Sequence, residues 1–334
     1  MQKNKVTLLI LLLAISFAII LGCSKKESTP VTVTGGNPSV LRDVVYGSNI
    51  NWKGQNETEA MDIYFPANIQ PGKKYPLAVF IHGGGFVTGD KANSQVKCQI
   101  LNDSGFIAVS INYRYGWDNG GGVCVGDTAS LGLALFRGIQ DVNAALRFLV
   151  SKADEYAIDT NWIFVGGASA GGTLALNCTY VTEQYEKERY PQIYAALGGL
   201  YNQTNNLTNK YSIKGIYSIA GGLGDSTVIN AGNAVPTIFF QGDADEVIPV
   251  DHGTYLWCSN FPKLVGSLCI ARQLEKYNKP AVAHILSGAG HGNNGDSGFD
   301  NPFMMSNTAC FLKRLTQKTV IQSNIYPNFT NSCP

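Results

Sequence analysis

Short apolar segments alternate with segments of helical spacing along most of the chain, and this alternation limits the fold more than any other feature. The apolar segments are rich in β-branched and aromatic residues, as buried strands are. They lie at residues 61–65, 76–83, 106–114, 162–167, 213–222, 235–243 and 281–290. Strands that are apolar throughout are typical of a parallel sheet covered by helices on both faces. The alternation therefore predicts an α/β fold with a mainly parallel sheet.

Segments of helical spacing separate several of these strands. Apolar residues recur three and four positions apart from Arg137 to Tyr156, which predicts an amphipathic helix. Further helices are predicted at residues 91–103 and 170–181 and near residues 307–319. The polar segment 182–212 is long for a connection. We interpret it as an insertion near the carboxyl edge of the sheet, where such insertions often cap a site.

Composition excludes several classes of protein. The 334 residues are 45% hydrophobic and 15% charged, which fits a folded domain and argues against disorder. The net charge of +1 gives no electrostatic reason to expect a nucleic acid partner. The length is sufficient for one large domain with a substantial core.

The N-terminus has the pattern of an export signal. Lys3 and Lys5 precede an apolar run at residues 6–21, and Gly22 and Cys23 follow it. A basic start, an apolar run and small residues at a cleavage point describe a secretory signal. The ending ILGC resembles a bacterial lipobox, which implies cleavage before Cys23 and attachment of a lipid to this cysteine.

This pattern divides the chain into three parts. Residues 1–22 are predicted to be a lipoprotein signal peptide, residues 23–40 a flexible tether and residues 41–334 the folded domain. Ser24 favours the outer membrane by analogy, so we expect a lipid-anchored protein of the bacterial cell envelope. The alternative is an uncleaved anchor with an ordinary cysteine, although residues 6–21 are slightly short for a membrane span.

Seven cysteines follow Cys23, and an exported chain can form disulfides. Because their number is odd, at least one has no partner within the chain. The predicted pairs are Cys258–Cys269, Cys98–Cys124 and Cys310–Cys333. Cys178 lies in a helical pattern and is predicted to be free and buried. No Cys/His spacing indicates a zinc site.

Two glycine-rich segments follow predicted strands. GASAG at residues 167–171 stands between a strand and a helix, where a sharp turn would display Ser169 as a nucleophile. HGGGF at residues 82–86 ends another strand, and its glycines would let backbone N–H groups approach a developing oxyanion. Because the carboxyl ends of parallel strands share one edge, the two motifs together predict a serine nucleophile beside an oxyanion hole.

A serine nucleophile needs a general base, and the chain has four histidines. His82 belongs to the HGGGF segment, and His284 lies within a strand pattern as a packed core residue. His291 lies in a glycine-flanked loop after the last predicted strand, from which it would reach Ser169. We therefore predict His291 as the base, with His252 as the alternative.

The base needs an orienting acid, and the segment GDADEVIPV at residues 242–250 offers several carboxylates. Asp245 lies just past the end of a predicted strand and is the predicted acid. Asp243 and Asp251 are the alternatives. The order Ser169, Asp245, His291 is one of the known chain orders for such a triad.

These motifs resemble those of α/β-hydrolase fold esterases, in particular hormone-sensitive-lipase-like and bacterial feruloyl and acetyl esterases. The resemblance covers residues 60–317 and implies about eight mostly parallel strands, helices on both faces and a small cap-like insertion. It implies Ser169 as nucleophile, His291 as base and then acid, and Asp245 as the orienting carboxylate. The implied oxyanion donors are the backbone N–H groups of Gly84, Gly85 and Ala170.

The implied activity is that of a carboxylesterase that works through an acyl-enzyme, without a metal or an organic cofactor. The expected substrates are small-molecule or polysaccharide-linked esters, with acetyl or feruloyl groups of plant polysaccharide as the specific hypothesis. The alternatives are a short-chain lipase or general esterase, a serine peptidase and a non-catalytic glycan-binding lipoprotein. Membrane contact is expected only through the N-terminal lipid. Ala168 departs from the resemblance, because these families usually have Asp or Glu before the serine.

Overall fold

The computed structural model describes residues 39–292 and 298–333. The strands are β1 (Val40–Ile50), β2 (Asn56–Tyr64), β3 (Tyr75–Ile81), β4 (Ile107–Ile111), β5 (Ile158–Ala168), β6 (Ile213–Ile219), β7 (Thr237–Gly242), β8 (His252–Thr254), β9 (Lys263–Val265), β10 (Ala281–Leu286) and β11 (Asn324–Pro327). The helices are α1 (Gln95–Asp103), α2 (Thr128–Ser151), α3 (Ala170–Tyr180), α4 (Glu183–Arg189), α5 (Pro191–Leu197), α6 (Ser267–Glu275) and α7 (Pro302–Thr316).

A nine-stranded sheet forms the centre of the described domain, in the order β1-β2-β4-β3-β5-β6-β7-β10-β11. The pairs β1–β2 and β2–β4 are antiparallel, and the other pairs are parallel. Buried side chains of α1 and α7 pack in one apolar cluster, and those of α2, α3 and α6 pack in another. The predicted mostly parallel sheet with helices on both faces is confirmed, and it has one strand more than expected.

The differences from the predicted elements lie mainly at the edges. The edge strands β1 and β11 are not predicted, because most of their side chains are half-buried or exposed and form no continuous apolar run. Helix α2 begins well before the predicted Arg137, because the Asp127 side chain caps it by accepting from the N–H groups of Ala129 and Ser130.

Several predictions fall on the N-terminal residues. The signal peptide at residues 1–22, Cys23 and almost all of the tether at residues 23–40 lie outside the described residues. Val40, the last residue of the predicted tether, is already part of β1. None of the helices in the described ranges is long and apolar enough to cross a membrane.

The disulfide predictions are partly wrong. Cys310 pairs with Cys333 as predicted, and Cys178 is free and buried as predicted. Cys258, however, pairs with Cys124, so the predicted Cys258–Cys269 and Cys98–Cys124 bonds do not form. The physical reason is that Cys98 is buried in the core with α1, while the Cys269 thiol lies 3.4 Å from His252 Nε2. Closeness along the chain therefore does not identify the partners.

The Cys124–Cys258 bond closes a loop of 134 residues, so it constrains the unfolded chain strongly. Changing both cysteines to serine is expected to lower the free energy of unfolding by about 2–5 kcal/mol. Urea unfolding of oxidised wild type and the double variant measures this difference. Equal midpoints, with the bond shown intact in the wild type by mass spectrometry, would contradict the expectation.

Candidate active site

Ser169 stands at the sharp turn between β5 and α3. Its backbone has φ +54° and ψ −120°, a conformation that costs a non-glycine residue about 1–3 kcal/mol. The turn is pressed against β3, because a Cβ on Gly167 or Gly171 would lie 2.4 or 2.0 Å from the carbonyl oxygen of Ile81. The Ser169 N–H donates to the Ile219 carbonyl at 2.8 Å. These contacts hold the serine at the carboxyl end of the sheet.

A continuous chain of hydrogen bonds joins the three residues predicted for the triad. Ser169 Oγ lies 2.8 Å from His291 Nε2, and His291 Nδ1 lies 3.0 Å from each carboxylate oxygen of Asp245. An ionised carboxylate can only accept, so Nδ1 carries the hydrogen and Nε2 accepts from the serine hydroxyl. Ser169 and Asp245 are 8% and 2% exposed, which shields this chain from water.

Asp245 is buried, and its carboxylate accepts hydrogen bonds from donors in its own loop and in β7. Oδ1 accepts from the N–H groups of Val247 and Ile248, each at 2.9 Å. Oδ2 accepts from Gln241 Nε2 at 3.2 Å, and Trp257 Nε1 donates to the Asp245 backbone carbonyl at 2.8 Å. A buried carboxylate is stable only with such partners. They fix its position opposite the imidazole.

Two contacts of His291 could not be identified from the sequence. The His291 N–H donates to Glu246 Oε2 at 2.8 Å, and the imidazole meets the Phe299 ring edge to face at 5.4 Å. Glu246 directly follows Asp245, so a single loop holds both the ring and the backbone of His291. The only sequence signal for the Glu246 contact is that the segment GDADEVIPV contains several acidic residues.

The predicted oxyanion loop lies against the serine. A Cβ on Gly83 would lie 3.3 Å from Ser169 Cβ, and Gly84 and Gly85 have φ of +118° and +60°. Ala170 is the first residue of α3, so its N–H has no acceptor within the helix. Between residues of the described ranges, no hydrogen bond uses the N–H of Gly84, Gly85 or Ala170. These groups can therefore donate to an oxygen bound beside Ser169.

The other three histidines have different surroundings. Burial lowers the pKa of His82, whose Nδ1 lies 2.6 Å from the Gly83 carbonyl and so supports the glycine loop. Burial also lowers the pKa of His284 to about 4, which fits the packed core residue that the sequence predicted. The side chain of His252 is 65% exposed and contacts Asp251 at 2.7 Å. His252 is therefore not placed as the base of Ser169.

Asp243 and Asp251, the alternative acids, bind groups other than the His291 imidazole. Asp243 Oδ1 accepts a backbone N–H at 2.6 Å, and Asp251 binds His252 and the guanidinium of Arg272. Ligand atoms of Asp251, His252 and Cys269 lie within 4.8 Å of one another, a grouping that cysteine spacing did not predict. Arg272 already supplies a positive charge to this group, so it does not call for a cation.

A cavity of about 600 Å³ opens on Ser169, within the size range of small-molecule sites. Much of its wall is apolar and includes Phe86, Leu131, Phe136, Ile139, Val181 and Ile248. Helices α4 and α5, from the segment predicted as an insertion, add Glu186, Arg189 and Ile193. Residues of this segment thus form part of the wall beside the nucleophile.

Glu186 is an unusual member of this wall. It is 5% exposed, and burial raises the pKa of its carboxyl to about 7. Within the described ranges, its carboxyl makes no hydrogen bond or ion pair to another side chain. Nothing in the sequence marked this glutamate, because its burial depends on how α4 packs.

The raised pKa of Glu186 predicts a pH-dependent effect on stability. Below pH 4.5 the carboxyl is protonated in both folded and unfolded chains, and above pH 7 its ionisation opposes folding. Raising the pH through this window should therefore lower the free energy of unfolding of the wild type relative to Glu186→Gln, by at most about 3 kcal/mol. Urea unfolding at several pH values measures the difference. A difference independent of pH would contradict the assigned direction.

The chain is similar to known esterases. A family model described as BD-FAE matches residues 61–221. "Probable isoprenylcysteine alpha-carbonyl methylesterase ICME" of Oryza sativa subsp. japonica is 27% identical over 187 residues, covering 53% of this chain and 39% of that protein. Carboxylesterase 3B of Mus musculus is 33% identical over 114 residues, covering 34% of this chain and 19% of that protein. The chain therefore spans less than half the length of these relatives.

Solved structures match over a larger share of the chain. Thermogutta terrifontis esterase 2 phosphorylated by paraoxon covers 81% of this chain and 92% of its own, with 19% identity and a TM-score of 0.55. A truncated carbohydrate esterase from gut microbiota covers 85% of this chain and 99% of its own, with 17% identity and a TM-score of 0.57. The chain has the α/β-hydrolase fold, and residues 61–221 of it match the BD-FAE family.

Proposed function

We propose that this protein is a carboxylesterase that hydrolyses its substrates through an acyl-enzyme on Ser169. The observation that carries the proposal is the hydrogen-bonded chain from Ser169 through His291 to Asp245, which stands beside a glycine loop with available N–H groups. The carboxylesterase relatives and the esterase structures support the same class of reaction.

The reaction follows from these positions. Ser169 Oγ attacks the ester carbonyl, and its proton passes to His291 Nε2 over the 2.8 Å hydrogen bond. The N–H groups of Gly84, Gly85 and Ala170 stabilise the oxyanion of the tetrahedral intermediate. His291 then protonates the leaving alcohol, and Asp245 stabilises the imidazolium throughout. A water molecule deprotonated by His291 attacks the acyl group, which releases the acid and restores Ser169.

We further propose acetyl or feruloyl groups on plant polysaccharide as the substrate class. Support comes from the resemblance of HGGGF and GASAG to acetyl and feruloyl esterase motifs and from a cavity with a largely apolar wall. A panel of acetyl, butyryl, octanoyl and feruloyl esters tests this class. Preference for acetyl or feruloyl esters supports it, and an optimum at the octanoyl chain would instead indicate a lipase.

We propose that the protein is anchored to the bacterial cell envelope, in the outer membrane, by a lipid on Cys23. The support is the basic, apolar and ILGC pattern of residues 1–23. Membrane fractionation of wild type and Cys23→Ser tests the anchor. We expect wild type in the outer membrane fraction and the variant outside it, and equal membrane retention of both would count against lipid attachment.

A further inference from the structure

The cavity beside Ser169 has an apolar body and one buried carboxyl. Glu186 on α4 lines the cavity and is 5% exposed. The wall of the same cavity also includes the apolar side chains of Val181 and Ile193. Within residues 39–292 and 298–333, no side chain or backbone group donates a hydrogen bond to its carboxyl. Glu186 thus differs from Asp245, whose carboxylate has four donors.

A buried carboxyl without a partner is unfavourable for folding, and an apolar residue of similar size would be better there. Groups that destabilise a fold are found at binding sites, where the ligand supplies the missing partner. Glu186 lines the same cavity as Ser169. The partner is therefore expected to be part of a bound substrate.

The chemistry of the cavity favours a hydroxyl group over a cation as this partner. Arg189 and Lys263 also line the cavity, and Asp225 is the other acidic residue on its wall. Two basic side chains beside two acidic ones give no excess of negative charge to attract an ammonium group. Burial raises the pKa of Glu186 to about 7, so near neutral pH the carboxyl is present in both forms. A hydroxyl group can donate to the ionised form and accept from the protonated one.

We propose that Glu186 is a specificity-determining residue of the cavity, and that its carboxyl binds a hydroxyl group carried by an otherwise apolar part of the ester substrate. This inference rests on the proposed ester hydrolysis at Ser169. Glu186 takes no part in proton transfer, so its contribution lies in binding and is expected mainly in KM.

The test compares pairs of esters that differ in the hydroxyl group. Methyl coumarate against methyl cinnamate places it on the acyl side, and 3-hydroxypropyl butyrate against propyl butyrate places it on the alcohol side. Butyrylcholine against dimethylbutyl butyrate tests a cation. The variants are Glu186→Leu, which removes the polar group, and Glu186→Gln, which keeps a donor and an acceptor. Glu188→Leu, at an exposed position on the same helix, is the matched control.

We expect Glu186→Leu to lower kcat/KM for a hydroxylated ester about tenfold, mainly through KM, because the substrate hydroxyl is left unpaired. Glu186→Leu should hydrolyse the ester without the hydroxyl group with wild-type kcat/KM. Glu186→Gln should retain most of the preference for the hydroxylated ester, and Glu188→Leu should behave as wild type. Glu186→Leu should also unfold at the same or a higher urea concentration at pH 8, since it removes an unfavourable buried charge. A structural glutamate would show the opposite shift.

Equal losses on both members of each pair, or a loss confined to butyrylcholine, would overturn the hydroxyl assignment. A clear drop in the unfolding midpoint of Glu186→Leu would also overturn it, because the carboxyl would then support the fold. Failure of the proposed function looks different, because the wild type itself would hydrolyse none of the esters. That result would remove both the function and this inference.

Discussion

Replacing Ser169 by alanine is expected to lower kcat for ester hydrolysis by about 10⁶-fold. The variant keeps His291 and the glycine loop but has no hydroxyl to form the acyl-enzyme. His291 Nε2 then loses the group that stands 2.8 Å away and donates to it. The remaining activity would come from oxyanion donors acting on direct attack by water. Turnover of nitrophenyl butyrate measures the effect, and circular dichroism establishes that the variant is folded.

A second buried serine provides the control for Ser169→Ala. Ser110 lies in β4 with its side chain fully buried, and no hydrogen bond joins its hydroxyl to Ser169, His291 or Asp245. Ser110→Ala should therefore retain wild-type turnover. If Ser169→Ala also kept most of the wild-type turnover, another residue would be the nucleophile.

Replacing Asp245 by asparagine is expected to lower kcat by about 10⁴-fold while the geometry stays intact. Both carboxylate oxygens now accept from His291 Nδ1 at 3.0 Å, which places the hydrogen on Nδ1. An asparagine amide can instead donate to Nδ1, and the imidazole hydrogen would then lie on Nε2. In that tautomer Nε2 cannot accept the proton of Ser169.

Asp251→Asn is the matched control for Asp245→Asn, because Asp251 was an alternative acid in the sequence. It contacts His252 and Arg272 and has no contact with His291 in the structure, so its change should leave kcat close to wild type. The pair is compared by kcat with nitrophenyl butyrate. A larger loss with Asp251→Asn than with Asp245→Asn would show that the acid is assigned to the wrong residue.

The sequence predicted the central part of the fold because local signals and tertiary structure agree there. Strand β3, residues 163–168 of β5 and strand β7 are almost entirely buried, so their largely apolar runs are visible in the sequence. The turn between β5 and α3 needs glycines for steric reasons, because a Cβ on Gly167 or Gly171 would lie 2.4 or 2.0 Å from the carbonyl oxygen of Ile81. Ser169, Asp245 and His291 were predicted as site residues because each lies just after the carboxyl end of a predicted strand.

Features that depend on packing between distant segments were not predicted. The partner of Cys258 is 134 residues away in the chain, and no local pattern indicates it. Gln241 and Glu246 hold Asp245 and His291 through single hydrogen bonds that other polar residues could have made. Glu186 lies in a polar segment whose composition suggests exposure, yet the packing of α4 buries it.

Covalent labelling with paraoxon tests the central claim most directly, because it needs no knowledge of the natural substrate. The hydrogen-bonded Ser169 should attack phosphorus as it would attack an ester carbonyl, and the product is a stable phosphoryl-serine. Mass spectrometry of the intact protein and its peptides is expected to show one diethylphosphoryl group on Ser169, absent from Ser169→Ala. Folded wild type that remains unlabelled, or is labelled at another residue, would contradict the account and would favour a non-catalytic protein or a different nucleophile.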